Sequence, residues 1–96
     1  RATLEAQAQQ ICADRERLYQ ALRAWSGITV WPSRTNFILF RIDNRPATLV
    51  FEGLQRAGVL IKNLDAAGGP LTGCLRVTVG TPAENAAFLA ALKPLL

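Results

Sequence analysis

The spacing of apolar positions divides the chain into stretches of two periods. From residue 4 to residue 25, Leu4, Ala8, Ile11, Cys12, Leu18, Tyr19, Leu22 and Trp25 recur mostly every three or four positions, which predicts one stripe of a long helix. Glu5, Gln7, Gln9, Asp14, Glu16, Arg17 and Arg23 fall on its other side. This lead helix is assigned to residues 1–26, opening at Arg1 and closed by Gly27. Ile28-Thr29-Val30-Trp31-Pro32-Ser33 is a short extended run stopped by proline. Thr35-Asn36-Phe37-Ile38-Leu39-Phe40-Arg41-Ile42 is bulky on both faces, as expected of a central strand covered by helices on at least one side. After the break at Asp43-Asn44-Arg45-Pro46, helical spacing returns through Val50, Phe51, Leu54 and Ala57, and Gly58 closes that helix. Val59-Leu60-Ile61 is predicted to be a compact strand continued by Lys62 and Asn63, and residues 65–73 a loop.

The segment Gly73-Cys74-Leu75-Arg76-Val77-Thr78-Val79-Gly80-Thr81-Pro82 carries the most chemistry. Alternation puts Leu75, Val77 and Val79 on one face and Cys74, Arg76 and Thr78 on the other. Thr81 and Glu84 form a capping-box pattern with Pro82 at the first helical position, so a last helix follows through Phe88, Leu89 and Leu92 until Pro94. The order helix, short strand, strand, helix, strand, strand, helix predicts an α/β (α+β) fold. It is a two-layer small domain with helices on one side of a small mixed or mostly antiparallel sheet. Residues 28–96 hold the sheet and two helices, and the other sheet face carries Arg76, Thr78 and Lys62 toward another domain.

Composition narrows the function classes. The chain has 96 residues, half of them hydrophobic, enough for one core, and a net charge of +4 from 11 basic and 7 acidic side chains. The excess charge favours an anionic partner, but the basic residues are scattered without a stripe or interleaved aromatics, which argues against nucleic acid. There is no histidine, so imidazole acid–base chemistry and a mixed zinc set are excluded within this chain. Cys12 and Cys74 read as two reduced, buried thiols of a cytoplasmic protein. No signal peptide or bilayer-length apolar run is present. The absence of methionine and the opening on Arg1 lead us to expect part of a longer polypeptide.

Arg76 is the leading candidate site residue. A guanidinium on a strand needs water, a carboxylate or a phosphate, and its planar fork suits an oxyanion. Its nearest acidic residues in sequence are Asp65 and Glu84, so its counter-charge comes from a distant residue or from outside. Pairing within the domain, or snorkelling to the surface, is the competing reading. Lys62 has two readings, a desolvated nucleophile or a strand-end residue in water. With Arg76 it would suit a doubly charged small substrate. Asn36 either caps its strand or lines a cleft. The Gly68-Gly69-Pro70 loop lacks the glycine spacing of a phosphate cradle, and the chain offers oxyanion binding without complete reaction machinery.

Val30-Trp31-Pro32-Ser33-Arg34-Thr35-Asn36-Phe37-Ile38-Leu39-Phe40, Gly58-Val59-Leu60-Ile61-Lys62-Asn63 and Gly73 through Asn85, followed by Phe88-Leu89, resemble the C-terminal small domain of the histidinol-phosphate aminotransferase family. That family belongs to the fold-type I pyridoxal-phosphate enzymes, and the resemblance covers nearly the whole chain. It implies that Arg76 grips a substrate α-carboxylate and that Lys62 occupies a position, usually arginine, that helps hold the far phosphate. Lysine there keeps the charge and loses the rigid fork. It further implies amino transfer between L-histidinol phosphate and 2-oxoglutarate in histidine biosynthesis, a cytoplasmic homodimer, and pyridoxal phosphate held by a separate large domain. No cofactor is expected on this chain alone, which by itself is expected to be inactive. Aromatic amino acid aminotransferases and threonine-phosphate decarboxylase look similar in these segments. A free-standing amino-acid sensor, or an adaptor docking through the first helix and the Arg76 face, are the readings from other classes.

Overall fold

A computed structural model describes residues 4–96; the expected helix start at Arg1 lies outside the described residues. Among the described residues three α-helices and four strands follow one another as α1 (Leu4–Arg23), β1 (Ile28–Val30), β2 (Phe37–Ile42), α2 (Ala47–Arg56), β3 (Lys62–Asn63), β4 (Cys74–Thr78) and α3 (Pro82–Leu92). The sheet order is β1-β2-β4-β3, and every neighbouring pair is antiparallel. One core joins the layers: Leu18 and Leu22 from α1, Val50 and Leu54 from α2, and Phe88 and Leu92 from α3 meet Ile28, Ile38, Phe40, Ile42, Leu75 and Val77 from the sheet. The Phe40 and Phe88 rings meet edge to face at 5.8 Å. The fold is thus the expected two-layer α+β domain, with its core on one sheet face.

The lead helix ends earlier than its apolar stripe, because Trp25 donates to Leu22 in a tighter turn and Gly27 takes a left-handed φ of 83°. Only the second half of that stripe is covered: Leu18 and Leu22 are buried, while Ala8, Ile11 and Cys12 are exposed. Cys12 is therefore not the buried thiol expected, whereas Cys74 is fully enclosed and its thiol is pushed up by burial. Asp14, assigned to the polar side, is buried one turn before Leu18. It is tolerated there because Gln10 Nε2 and the Arg17 guanidinium both donate to Oδ1.

The compact strand expected at residues 59–61 is corrected as well. The strand is Lys62–Asn63, and the three residues before it run unpaired, with Leu60 81% exposed. Gly58 in a left-handed turn lets Val59 donate back to Leu54, so the chain stays tied to the end of α2 and reaches β4 only at Lys62. Gly53, a helix-weakening residue on propensity grounds, has a packing reason: a Cβ there would stand 2.7 Å from Leu95 Cδ2. The loop of residues 65–73 contains two short 3₁₀ turns, and Asp65 Oδ1 accepts from the Gly73 amide at 2.7 Å, fixing where β4 begins.

Candidate functional site

Alternation along β4 sends Leu75 and Val77 into the core and leaves Arg76 and Thr78 on the face without helices. The junction at the end of β4 is held rigidly. Gly80 donates its amide to Asn85 Oδ1 at 2.9 Å, and Asn85 Nδ2 donates back to the Gly80 carbonyl at 3.2 Å. The expected capping box is formed: Glu84 donates its amide to Thr81, and the Glu84 carboxylate accepts from the Thr81 amide, which holds that carboxyl below its usual range. Asn85, in the sequence only the last residue of the segment 73–85, is thus what clamps the arginine strand to α3.

Cross-strand register decides which residues surround Arg76. Leu39 on β2 and Lys62 on β3 are both its direct partners. Lys62 and Arg76 therefore stand side by side on one face, roughly 5 Å apart at Cβ. Two like charges in register destabilise a sheet unless something answers them. Among the described residues the ion pairs are Arg17 with Asp14 and Arg41 with Asp43, and neither Lys62 nor Arg76 belongs to one. What Arg76 does have is a ring: its guanidinium carbon lies 4.3 Å from the centroid of Phe37, and the side chain is half-buried. In the sequence Phe37 stands in a predicted strand and in one of the resemblance segments; its diagonal position to Arg76 is set by register.

Asn36 sits just before Phe37 at the mouth of β2. Its carbonyl accepts from the Val79 amide at 2.7 Å, extending the β2–β4 ladder, and its side chain is exposed. It is brought to the same end of β2 as Phe37 but tied in by its backbone. A 330 Å³ hollow lies farther along β4, between residues 58–61 and Gly80, Glu84 and Asn85; neither Arg76 nor Lys62 lines it. Arg76 and Lys62 thus occupy an open sheet surface, where an anion would be held on one side only.

Arg41 shares the open face and serves as a control. It also lies over an aromatic ring, 5.5 Å from the centroid of Trp31, but its Nε donates to Asp43 at 2.9 Å and its Nη2 to Thr29 at 3.3 Å. Thr29 also donates to Asp43 at 2.7 Å, and these bonds hold the Asp43 carboxyl below its usual range, the Thr29 hydroxyl contributing most and Arg41 next. Among the described residues no group of three or more Cys, Asp or Glu side chains could hold a metal, and no helix is long and apolar enough to cross a membrane.

The family model described as aminotransferase class I and II matches residues 1–92. Histidinol-phosphate aminotransferase 2 of Nitrosococcus oceani is 54% identical over 90 residues, which cover 94% of this chain and 25% of that protein. The solved structure of a decarboxylase from Sulfurospirillum multivorans superposes with a TM-score of 0.85 at 28% identity, over 96% of this chain and 26% of that one. L-threonine-O-3-phosphate decarboxylase from Porphyromonas gingivalis superposes at 0.81 with 26% identity, over 91% of this chain and 27% of its own. The chain spans about a quarter of the length of the curated relatives it matches. Its match to the family model, across nearly every residue and with this two-layer fold, places it: the chain belongs to the class I and II aminotransferases.

Proposed function

We propose that this chain is the substrate-gripping small domain of a histidinol-phosphate aminotransferase, which moves an amino group between L-histidinol phosphate and 2-oxoglutarate. Arg76 receives the carboxylate of the keto acid or of glutamate through two parallel N–H donors, and Lys62 beside it attracts the second negative group of the substrate. The observation that carries this reading is the pair of cations in register without an acidic partner among the described residues. Curated relatives at 54% and 47% identity bear that enzyme name, which supports the substrate. Asn36 borders the grip at the mouth of β2. The substrate's other wall comes from a large domain elsewhere in the polypeptide, and the complete enzyme works as a cytoplasmic homodimer.

Pyridoxal phosphate belongs to this reading as the cofactor of the complete enzyme, but the residues of this chain do not fit it. Holding that cofactor takes a lysine amine enclosed within the protein and a cradle for its phosphate. Lys62 and Lys93 are the two lysines, and both are exposed, Lys93 lying 5.8 Å over the Trp25 ring. In this reading the cofactor lysine belongs to the large domain, as the family resemblance implies, and the contribution of this chain is binding and orientation.

A second reading, decarboxylation of an amino-acid phosphate, is favoured by the similarity to the threonine-phosphate enzyme's structure. The two are separated by assaying the complete enzyme with histidinol phosphate plus 2-oxoglutarate and, separately, with threonine phosphate. Glutamate formation in the first assay with no carbon dioxide release in the second is the expected result. The reverse pattern replaces the first reading with the second.

A further inference from the structure

An arginine that must wait for a carboxylate faces a conflict. Left in water, its long side chain spreads over many rotamers, and binding then costs the entropy of collecting them. Fixed by an acid, its donors are already spent. Guanidinium N–H donors all lie in the plane of the group, so a ring stacked on the face orients it and consumes none of them. The Arg76 guanidinium carbon lies over the Phe37 ring, 4.3 Å from its centroid.

The ring is itself anchored. The Phe37 amide donates to the Thr35 hydroxyl at 3.2 Å, its carbonyl accepts from the Ser33 hydroxyl, and the adjacent Asn36 carbonyl accepts from Val79 at 2.7 Å. Two hydroxyls and a ladder bond thus fix the backbone at Asn36 and Phe37, and the cross-strand partner of Phe37 is Thr78, two residues beyond Arg76 on the same face. The Trp31–Arg41 contact is looser, at 5.5 Å, and there the donors go to Asp43 and Thr29.

We propose that Phe37 is a positioning residue for Arg76: its ring covers one face of the guanidinium, strips water from it, and holds its donor edge open for a carboxylate. This rests on the reading of Arg76 as the substrate grip. Phe37 acts through the arginine and sets the affinity for carboxylate-bearing substrates.

The test is steady-state kinetics of the complete enzyme, with 2-oxoglutarate as the varied substrate, for Phe37→Leu, Phe37→Tyr and Arg76→Lys, alongside their thermal midpoints. Loss of the ring in Phe37→Leu is expected to raise KM about tenfold with a smaller change in kcat, while Phe37→Tyr, which keeps a ring, stays within about twofold of the parent. Arg76→Lys is expected to raise KM further. If Phe37→Leu leaves KM unchanged while Arg76→Lys raises it, the positioning role is overturned and the grip stands. A KM unmoved by Arg76→Lys overturns the grip itself. Should both Phe37 variants show a lower kcat, a higher KM and a lower thermal midpoint together, the ring is only a packing element and the proposal falls.

Discussion

Arg41 and Arg76 occupy adjacent strands, project from the same sheet face and each lie over an aromatic ring, yet their surroundings are opposite in sign. Arg41 meets Asp43 and Thr29 and is answered within the domain. Arg76 meets a ring, a leucine and another cation. A strand arginine is therefore not a functional signal in itself; what distinguishes the two is whether a carboxylate of the domain meets its donors. An arginine whose donors go to its own domain helps hold the sheet, and one without an acidic partner keeps donors for something else.

The largest effect that tests this contrast is the loss of the guanidinium. In the complete enzyme, Arg76→Ala should lower kcat/KM for 2-oxoglutarate by about 100-fold or more, the scale of a lost charge-assisted hydrogen bond of roughly 3 kcal/mol. Arg41→Ala should leave it within about twofold; equal losses would erase the distinction. Next in size, Lys62→Glu places a carboxylate opposite Arg76 and turns it into a second Arg41. Affinity for 2-oxoglutarate should fall about tenfold or more while unfolding stability rises by about 0.2–1 kcal/mol, because an opposite-charge cross-strand pair replaces a like-charge one. Denaturant unfolding that shows a less stable variant would mean the two cations are already answered.

Smaller again is the anchoring of the arginine strand. Thr81→Ala removes the cap that starts α3 and should cost about 1 kcal/mol in urea unfolding, with no selective change in KM for the keto acid. The smallest effect concerns pH. Asp43 is held below its ordinary value when folded, so its contribution is present above the unfolded carboxylate range and lost as pH falls through the folded value. The stability difference between the parent and Asp43→Asn should accordingly shrink on acidification. A difference that persists at pH 2 would show that Asp43 stabilises by packing rather than by charge.

Local signals carried much of this fold into the sequence. The alternation in β4, the capping box at Thr81 and Glu84, and the turn at Gly58 each depend on residues within a few positions of one another, and each stands where the pattern puts it. Arg76 as a candidate receiver of an oxyanion follows from its residue type and the lack of a neighbouring acid in sequence. What was not legible depends on register. An apolar run such as Val59-Leu60-Ile61 does not say where pairing begins, and the tie from Val59 to Leu54 postpones it to Lys62. The same is true of Phe37 beneath Arg76, brought there by a partner strand more than thirty residues away. Asp14 was misplaced because its carboxylate is satisfied by neighbours on its own helix, which lets a charged residue take a core position. Ala8, Ile11 and Cys12 show the converse, apolar positions of the stripe that none of the described residues covers.

The most direct measurement is a crystal structure of the complete enzyme with 2-oxoglutarate bound. The account predicts one substrate carboxylate on the in-plane donors of Arg76, the Phe37 ring still against the guanidinium face, and Arg41 still paired with Asp43. A carboxylate seated on Arg41, or Arg76 turned onto an acidic side chain of the enzyme, would contradict it.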